Sequence, residues 1–353
     1  MREPTKKELL ATPLVNIDIK QHDVRAIVDA MADMAFQARN LGRAARIYDE
    51  MLSDPTCSVI LCMAGSLCSA GLREVFVDMV ESRMVDAIVS TGANIVDQDF
   101  FEGLGYRHYR GDPRMDDDLL RRNAIDRIYD TYIDEDELRE CDMTVAKVAD
   151  LMLERGGPRA ASSREFLREM GAWLLKHRPH TRSILAAACT ADVPIFVPAF
   201  SDCSAGFGLV WHQTQHPDGY MAIDSAADFR ELTELKLKAG RTGLFMVGGG
   251  VPKNFAQDIV VAAEVLGHEP EMHKYAVQLT VADERDGALS GSTLREANSW
   301  GKVDATHGQE QMVFGEATVT LPLVAGYAWH RGAWRARDVR RYARIYEKAV
   351  AAK

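Results

Sequence analysis

The sequence predicts an α/β protein whose core is a Rossmann-like, doubly wound, mostly parallel sheet, preceded by a helical N-terminal extension. Short and nearly continuous apolar runs alternate with longer amphipathic stretches, and strands buried on both faces of a parallel sheet have this pattern. Neither an internal repeat nor a linker rich in Pro, Gly and Ser divides the 353 residues. We therefore expect a single domain over residues 1–353, with residues 1–52 mainly helical.

The elements follow from the periodicity of each stretch. Helix is expected from Asp23 to about Met51, before the first strong strand. The segment 184–198 reads as the end of a helix followed by a strand, and the acidic segment 129–142 as a solvated loop and a helix start. The other predicted strands are 58–64, 86–91, 243–248, 275–281 and 317–321. The other predicted helices are 72–84, 224–239 and 255–266.

Composition narrows the class of protein. Hydrophobic residues make up 47% of the chain and charged residues 27%, as is usual for a soluble globular protein. The net charge of −10 argues against a partner that is nucleic acid or an anionic membrane, since proteins that bind these usually present a basic face. No apolar run is long enough for a membrane span or a secretory signal. The six cysteines form no CxxC pair, so we expect buried thiols in a reducing compartment, by default the cytoplasm.

A metal site is not expected. His212 and His216 have the i,i+4 spacing of helical ligands, but the glutamate of the HExxH motif is missing. The cysteines lack the paired spacings of zinc ligands.

Small residues follow three of the predicted strands, at residues 64–71, 90–94 and 248–250. The carboxyl ends of parallel strands form the ligand crevice of such sheets, and small residues there let backbone N–H groups approach a phosphate. Each segment alone could be a tight turn. Together they favour a nucleotide-type cofactor, although none matches G-x-G-x-x-G.

Lys302 follows an aromatic residue, Trp300, in the segment 286–302. A lysine desolvated by an aromatic wall can be neutral and can form an imine, whereas an ordinary loop lysine is solvated. Asp202, after the strand of segment 184–198, could accept hydrogen bonds from a ligand or act as a turn residue.

Six segments resemble motifs of the deoxyhypusine synthase family, in the same order and over nearly the whole chain. They are FQARNLGRA (36–44), GSLCSAGLRE (65–74), STGANIVDQD (90–99), PAFSDCSAG (198–206), GGGVPK (248–253) and EANSWGK (296–302). The last two are the sharpest matches.

The resemblance implies an NAD-binding homotetramer with active sites between paired subunits. In the implied reaction NAD takes a hydride from spermidine, diaminopropane leaves, and the aminobutyl group passes to the active-site lysine, which is Lys302 here. An acceptor amine then displaces Lys302, and the retained NADH reduces the final imine. The acceptor is a lysine of translation initiation factor 5A in deoxyhypusine synthases and putrescine in the related homospermidine synthases.

The same resemblance implies residue roles. Glu296, Trp300 and Gly287 would bind the polyamine, and Asn254 stands where the family has a catalytic histidine. The implied NAD contacts are Ser66, Ser69, Thr91, Gly92, Ala93, Asp97, Asp202, Gly249, Ala282, Asp286, Glu316 and Ala317.

Three departures change the expected chemistry. Asn254 cannot act as a general base at neutral pH. Phe207 and Leu289 stand where the family has aspartates that anchor the polyamine, and an unpaired buried ammonium is unfavourable.

We consider three hypotheses. The first is an NAD-dependent aminoalkyl transferase that uses Lys302, with either a protein lysine or a free amine such as putrescine as acceptor; the departures favour a small-molecule acceptor or an altered donor such as an agmatine-like amine. The second is an NAD-dependent amine dehydrogenase or lyase, and the third is a non-catalytic member of the family.

Overall fold

The computed structural model describes residues 2–286 and 292–349, and its centre is a parallel sheet. The strands are β1 (Ser58–Met63), β2 (Ala87–Ser90), β3 (Tyr109–Arg110), β4 (Ile125–Ile128), β5 (Thr131–Asp134), β6 (Arg159–Ala161), β7 (Ile195–Phe196), β8 (Met221–Ile223), β9 (Thr242–Val247), β10 (Tyr275–Thr280) and β11 (Gln309–Phe314). Six of them form the sheet in the order β11-β10-β9-β1-β2-β7, and all neighbours in it are parallel. The predicted fold class is therefore confirmed.

Helices cover both faces of this sheet. They are α1 (Lys6–Leu9), α2 (Arg25–Ala32), α3 (Phe36–Ser53), α4 (Arg73–Glu81), α5 (Phe101–Leu104), α6 (Asp117–Arg122), α7 (Glu135–Gly156), α8 (Ser163–His177), α9 (Ile184–Ala191), α10 (Ala205–Gln215), α11 (Ser225–Ala239), α12 (Gly250–Val265), α13 (Leu294–Ser299) and α14 (Ala317–Arg331). A π-helical segment (Ala93–Phe100) precedes α5, and 3₁₀ turns occur at Ile19–Gln21, Cys68–Ala70, Ala333–Ala336 and Tyr342–Ala349.

The side chains of β1 show how the two layers form. Val59, Leu61 and Met63 join the core beneath α3, α4 and α14. Ile60 and Cys62 point to the other face and join residues of α11, α12 and α13. Because successive side chains of a strand alternate between faces, a strand covered on both sides needs apolar residues at every position. This is why SVILCM reads as a continuous run.

One prediction near the end of the chain was wrong. Residues 317–321 are not a strand but the first turns of α14, because the Glu316 side chain accepts a hydrogen bond from the Thr318 N–H (2.8 Å) and caps the helix. The β-branched residues there favoured a strand only by local propensity. The strand lies just before, at β11, where the polar sequence QEQMVF is half-exposed on the edge of the sheet.

The acidic segment 129–142 is partly as expected. Its helix start is correct, since the Asp134 side chain accepts a hydrogen bond from the Asp136 N–H (3.0 Å) at the beginning of α7. The expected loop is wrong in part, because Thr131–Asp134 form β5, the centre of a small antiparallel sheet with β3 and β4. The helix expected from Asp23 to Met51 is present as two helices, α2 and α3.

None of the described helices is both long enough and apolar enough to cross a membrane.

Candidate functional site

The turns after β1 and β2 are joined by side-chain hydrogen bonds at the carboxyl edge of the sheet. The Thr91 hydroxyl donates to the Gly65 carbonyl (3.0 Å), and the Asn94 side-chain oxygen accepts from the Leu67 N–H (2.7 Å). The Ser69 N–H donates to the side-chain oxygen of Gln98 (2.8 Å). These bonds fix the backbone of both small-residue segments, so their shape is set before any ligand arrives.

The turn after β9 closes against the turn after β1. Gly248 has a φ of +79°, and a Cβ at this position would lie 2.9 Å from the Cβ of Ala64. Only glycine fits both conditions. Gly249 then leads directly into α12, so backbone N–H groups at the start of that helix face the same edge.

Two carboxyl groups lie behind this edge. Burial and the nearby Asp142 carboxyl raise the pKa of Asp97 to about 6, although its carboxylate accepts a hydrogen bond from the Ser204 N–H (3.0 Å). Burial likewise raises the pKa of Asp142 to about 6, and the Ser204 hydroxyl donates to it. A carboxylate so placed can accept hydrogen bonds from the hydroxyls of a ribose.

The remaining expected cofactor residues follow the carboxyl ends of the strands as well. Ser66 and Ala93 are half-buried, and Ala282 and Ala317 come just after β10 and β11. Asp202, Asp286 and Glu316 are exposed, and Glu316 also caps α14. This edge combines small residues, the start of a helix and carboxylates. Dinucleotide sites in parallel sheets use the same combination.

Gly92 is the tightest position of this edge, and its substitution is a test of the packing. An alanine Cβ there would lie 2.3 Å from Cys203 Sγ and 2.7 Å from Cys203 Cβ. We expect Gly92→Ala to lower the free energy of unfolding by about 1–3 kcal/mol through overpacking.

The second substitution Cys203→Gly removes the clashing atoms. The double variant should regain most of the loss in urea denaturation. Equal stability of Gly92→Ala and the wild type would contradict this packing.

Lys302 lies in a groove of about 620 Å³ between α11 and α12. Its Nζ forms an ion pair with Asp258 and lies 5.1 Å from the centre of the Trp300 ring. The Lys302 side chain is 16% exposed, whereas Trp300 is 66% exposed. The ring therefore covers part of the amine, as expected, but is itself open to a ligand.

Lys302 and the candidate cofactor residues lie toward opposite edges of the sheet in one chain. The Lys302 carbonyl accepts from the His273 N–H (2.9 Å), just before β10 begins. Asp258, its ion-pair partner, is eight residues into α12, or about 12 Å along the helix axis from Gly250.

The other expected substrate residues are placed as follows. Glu296 forms a capping box with Thr293, and the backbone hydrogen bond from Thr293 lowers the pKa of its carboxyl. Asn254 is half-buried on α12, one turn before Asp258. Phe207 is 69% exposed. Gly287 and Leu289 lie outside the described residues.

Four residues that contact the candidate site were not predicted from the sequence. Asn94 and Gln98 are fully buried amides that hold the turn after β1, and their i,i+4 spacing after a strand was the available signal. Asp258 has the same spacing from Asn254. Burial lowers the pKa of Lys253 to about 8, and its Nζ donates to the Ser292 carbonyl; no pattern distinguished it from Lys302.

His212 and His216 do meet a third possible metal ligand, Asp150 of α7. Asp150 contacts His212 Nδ1 (2.6 Å) and His216 Nε2 (3.1 Å). However, His212 Nε2 accepts a hydrogen bond from the Met221 N–H (2.9 Å), so its proton is on Nδ1 and donates to Asp150. The arrangement is a hydrogen-bonded helix contact and leaves His212 no free nitrogen for a metal.

The structure combines a six-stranded parallel sheet, small-residue turns at its carboxyl edge and a groove that holds Lys302. A family model described as "Deoxyhypusine synthase" matches residues 26–328. A deoxyhypusine synthase-like protein from Chlorobaculum parvum is 61% identical over 342 residues (97% of this chain, 96% of the relative). One from Coxiella burnetii is 54% identical over 343 residues (97% and 96%). The chain belongs to the deoxyhypusine synthase family, a family of aminobutyl transferases.

A solved structure shows the same fold. It is that of a candidate deoxyhypusine synthase from Entamoeba histolytica, with a TM-score of 0.58 and 17% identity, covering 90% of this chain and 97% of that one.

Proposed function

We propose that this protein is an NAD-dependent aminoalkyl transferase in which Lys302 carries the transferred group as an imine. The observation that supports this most is the environment of Lys302. Its side chain is 16% exposed, its Nζ faces an aromatic ring, and it borders a groove with mainly apolar walls. Partial desolvation of this kind favours a nucleophilic lysine, once the ion pair with Asp258 has opened.

The donor in this proposal is spermidine or a related amine. When bound, NAD would accept a hydride from the donor carbon next to nitrogen and return it at the end of the cycle. The Lys302 amine attacks the oxidised carbon, and the carbon–nitrogen bond to the departing amine, diaminopropane for spermidine, breaks. The acceptor amine then attacks the same carbon, and the bond to Lys302 breaks. Oxidation and reduction cancel over the cycle.

NAD would lie along the carboxyl edge of the sheet. Gly249 and the start of α12 would receive the phosphates, and Asp97 would accept hydrogen bonds from a ribose. The joined turns around Ser69 and Thr91 hold the backbone in place.

A second copy of the chain would complete the reaction site. Because the backbone of Lys302 lies beside the start of β10, at the end of the strand away from the carboxyl edge, we propose that the Lys302 groove of one subunit faces the NAD edge of another, within the expected homotetramer. The exposed side chains of Trp300, Phe207 and Trp211 offer apolar surface for such contacts.

The acceptor in this proposal is a small amine such as putrescine rather than a lysine of translation initiation factor 5A. Asn254 replaces a histidine, and Phe207 is apolar where an ammonium would need a partner. The amine must therefore bind in another register than in deoxyhypusine synthases, and agmatine is a possible donor.

The test is the intact mass of the protein after incubation with NAD and, separately, putrescine, spermidine and agmatine, followed by reduction with borohydride. We expect an added mass of aminobutyl size, or of the corresponding agmatine fragment, with one of the amines. Absence of an adduct with every amine, although NAD binds, would reject the proposal. NADH that accumulates without an adduct would instead indicate an amine dehydrogenase or lyase.

A further inference from the structure

Asp258 is the charged partner of Lys302, although no motif assigned it a role. Its carboxylate forms an ion pair with Lys302 Nζ, and the side chain of Asp258 is 39% exposed. It therefore contacts both the amine and the open space of the groove. A ligand that enters the groove reaches Asp258 without any movement of the backbone.

The groove is suited to an alkyl chain with a cationic end. Its walls are mainly apolar and include Phe229 of α11, Val261 and Val265 of α12, and Trp300. Among the described residues that line it, Asp258 is the only acid. A cationic amine in the groove therefore has one carboxylate to bind, and that carboxylate is already paired with Lys302.

Imine formation requires this pair to open. An ammonium has no lone pair and cannot attack carbon, while an adjacent carboxylate favours the charged form of an amine. Two ammonium groups next to one carboxylate are unfavourable, so a second cation at Asp258 favours loss of a proton from Lys302. The groove is open, so the proton can pass to solvent.

We propose that Asp258 is a positioning residue that exchanges the ammonium of Lys302 for that of the substrate. Binding of the amine would then dock the substrate and free Lys302 for attack in the same event. This inference rests on the proposed role of Lys302 and names the cation-binding group of the same site.

Other charged groups face Lys302 from the neighbouring helices. Lys253 of α12 acts on it as a like charge, but its Nζ donates to the Ser292 carbonyl. Arg230 of α11 lines the groove and pairs with Glu234 (3.6 Å). Glu264 of α12 lies near Gly301. Among these groups Asp258 is the one in ion-pair contact with the Lys302 amine, and the proposal therefore rests on Asp258 alone.

The experiment is calorimetric titration of the NAD-free protein with putrescine, spermidine and agmatine, in two buffers that differ in ionisation enthalpy. At pH 7.5 the wild type should release up to about one proton for each amine bound in the groove, since Lys302 loses its proton. Asp258→Asn should bind the amine about tenfold more weakly, or worse, and release none. Glu264→Gln, a carboxylate change on the same helix, should behave as the wild type.

Two further variants separate exchange from simple attraction. Lys302→Met should bind the amine at least as tightly as the wild type, without proton release, because Asp258 is then free. Asp258→Glu should restore part of the binding, and thermal melting would establish that all variants are folded. Unchanged binding in Asp258→Asn, or no proton release by the wild type, would overturn the inference. A trapped adduct together with either of those results would reject the exchange alone and leave the transferase proposal intact.

Discussion

Lys302→Ala is expected to lower the rate of adduct formation by about 1,000-fold or more, since Lys302 is the only amine among the described residues that line the groove. The measurement is the borohydride-trapped mass over time, followed by peptide mapping. Lys302→Arg should fail equally, because a guanidinium keeps the positive charge but stays protonated. Lys238→Ala, an exposed lysine of α11, serves as the matched control and should leave the adduct unchanged.

An adduct that persists in Lys302→Ala would identify a different carrier. Lys253 is then the residue to examine, because burial lowers its pKa to about 8 and a substantial part of it is neutral near that pH. Peptide mapping distinguishes the two residues directly, since they lie 49 positions apart in the chain.

Arg337→Met is expected to lower the free energy of unfolding by about 3–5 kcal/mol at pH 7.5. Arg337 and Asp86 form an ion pair whose side chains are each 4% exposed. The Asp86 carboxylate also accepts from the Val59 N–H (2.7 Å). Without Arg337, the buried Asp86 carboxylate keeps only a longer ion pair, with Arg340, whose guanidinium nitrogen lies 3.7 Å from it. Urea denaturation at a fixed protein concentration measures the loss.

The pH dependence gives this prediction a second readout. Burial raises the pKa of Asp86 and the nearby Arg337 lowers it, so removal of Arg337 raises it further. The folded variant then binds more protons than the unfolded chain, and its stability falls as the pH rises above the unfolded pKa. The loss should therefore be smaller at pH 5 than at pH 8.

The control variant is Arg285→Met, which breaks the exposed pair with Asp283 and should change the free energy of unfolding by about 0.5 kcal/mol or less. A loss in Arg285→Met as large as that in Arg337→Met would contradict the explanation by burial.

The buried strands were predictable because their burial leaves a direct pattern in the sequence. Every residue of β1, β9 and β10 is buried, so each appears as an apolar run. β11 was not predictable for the opposite reason: on the edge of the sheet its side chains are half-exposed, and the run is polar. The start of α14 was misread because the capping contact of Glu316 outweighs the strand propensity of the residues that follow it.

The residues of the candidate site likewise fall into those that the sequence could predict and those that depend on tertiary contacts. The turns that contain Thr91, Gly92 and Gly249 could be placed at one edge from the sequence, because the carboxyl ends of the strands in a parallel sheet meet there. Asp258 could not, since its role depends on its contact with Lys302, 44 residues later in the chain. The hydrogen bond from Met221 to His212 is also a contact between separate elements, and it decides the protonation of that ring.

The sequence by itself thus determined the sheet, the order of its main elements, the family motifs and the lysine in the last of these motifs. Each of these features is visible as a local periodicity or as a short run of residues. Only the tertiary structure decided that Lys302 is paired with Asp258, that Cys203 fills the space beside Gly92, and that Lys302 lies away from the carboxyl edge of its own chain. These three facts are distances between residues far apart in sequence. Such distances are set by how the helices pack on the two faces of the sheet, and local pattern holds no information about them.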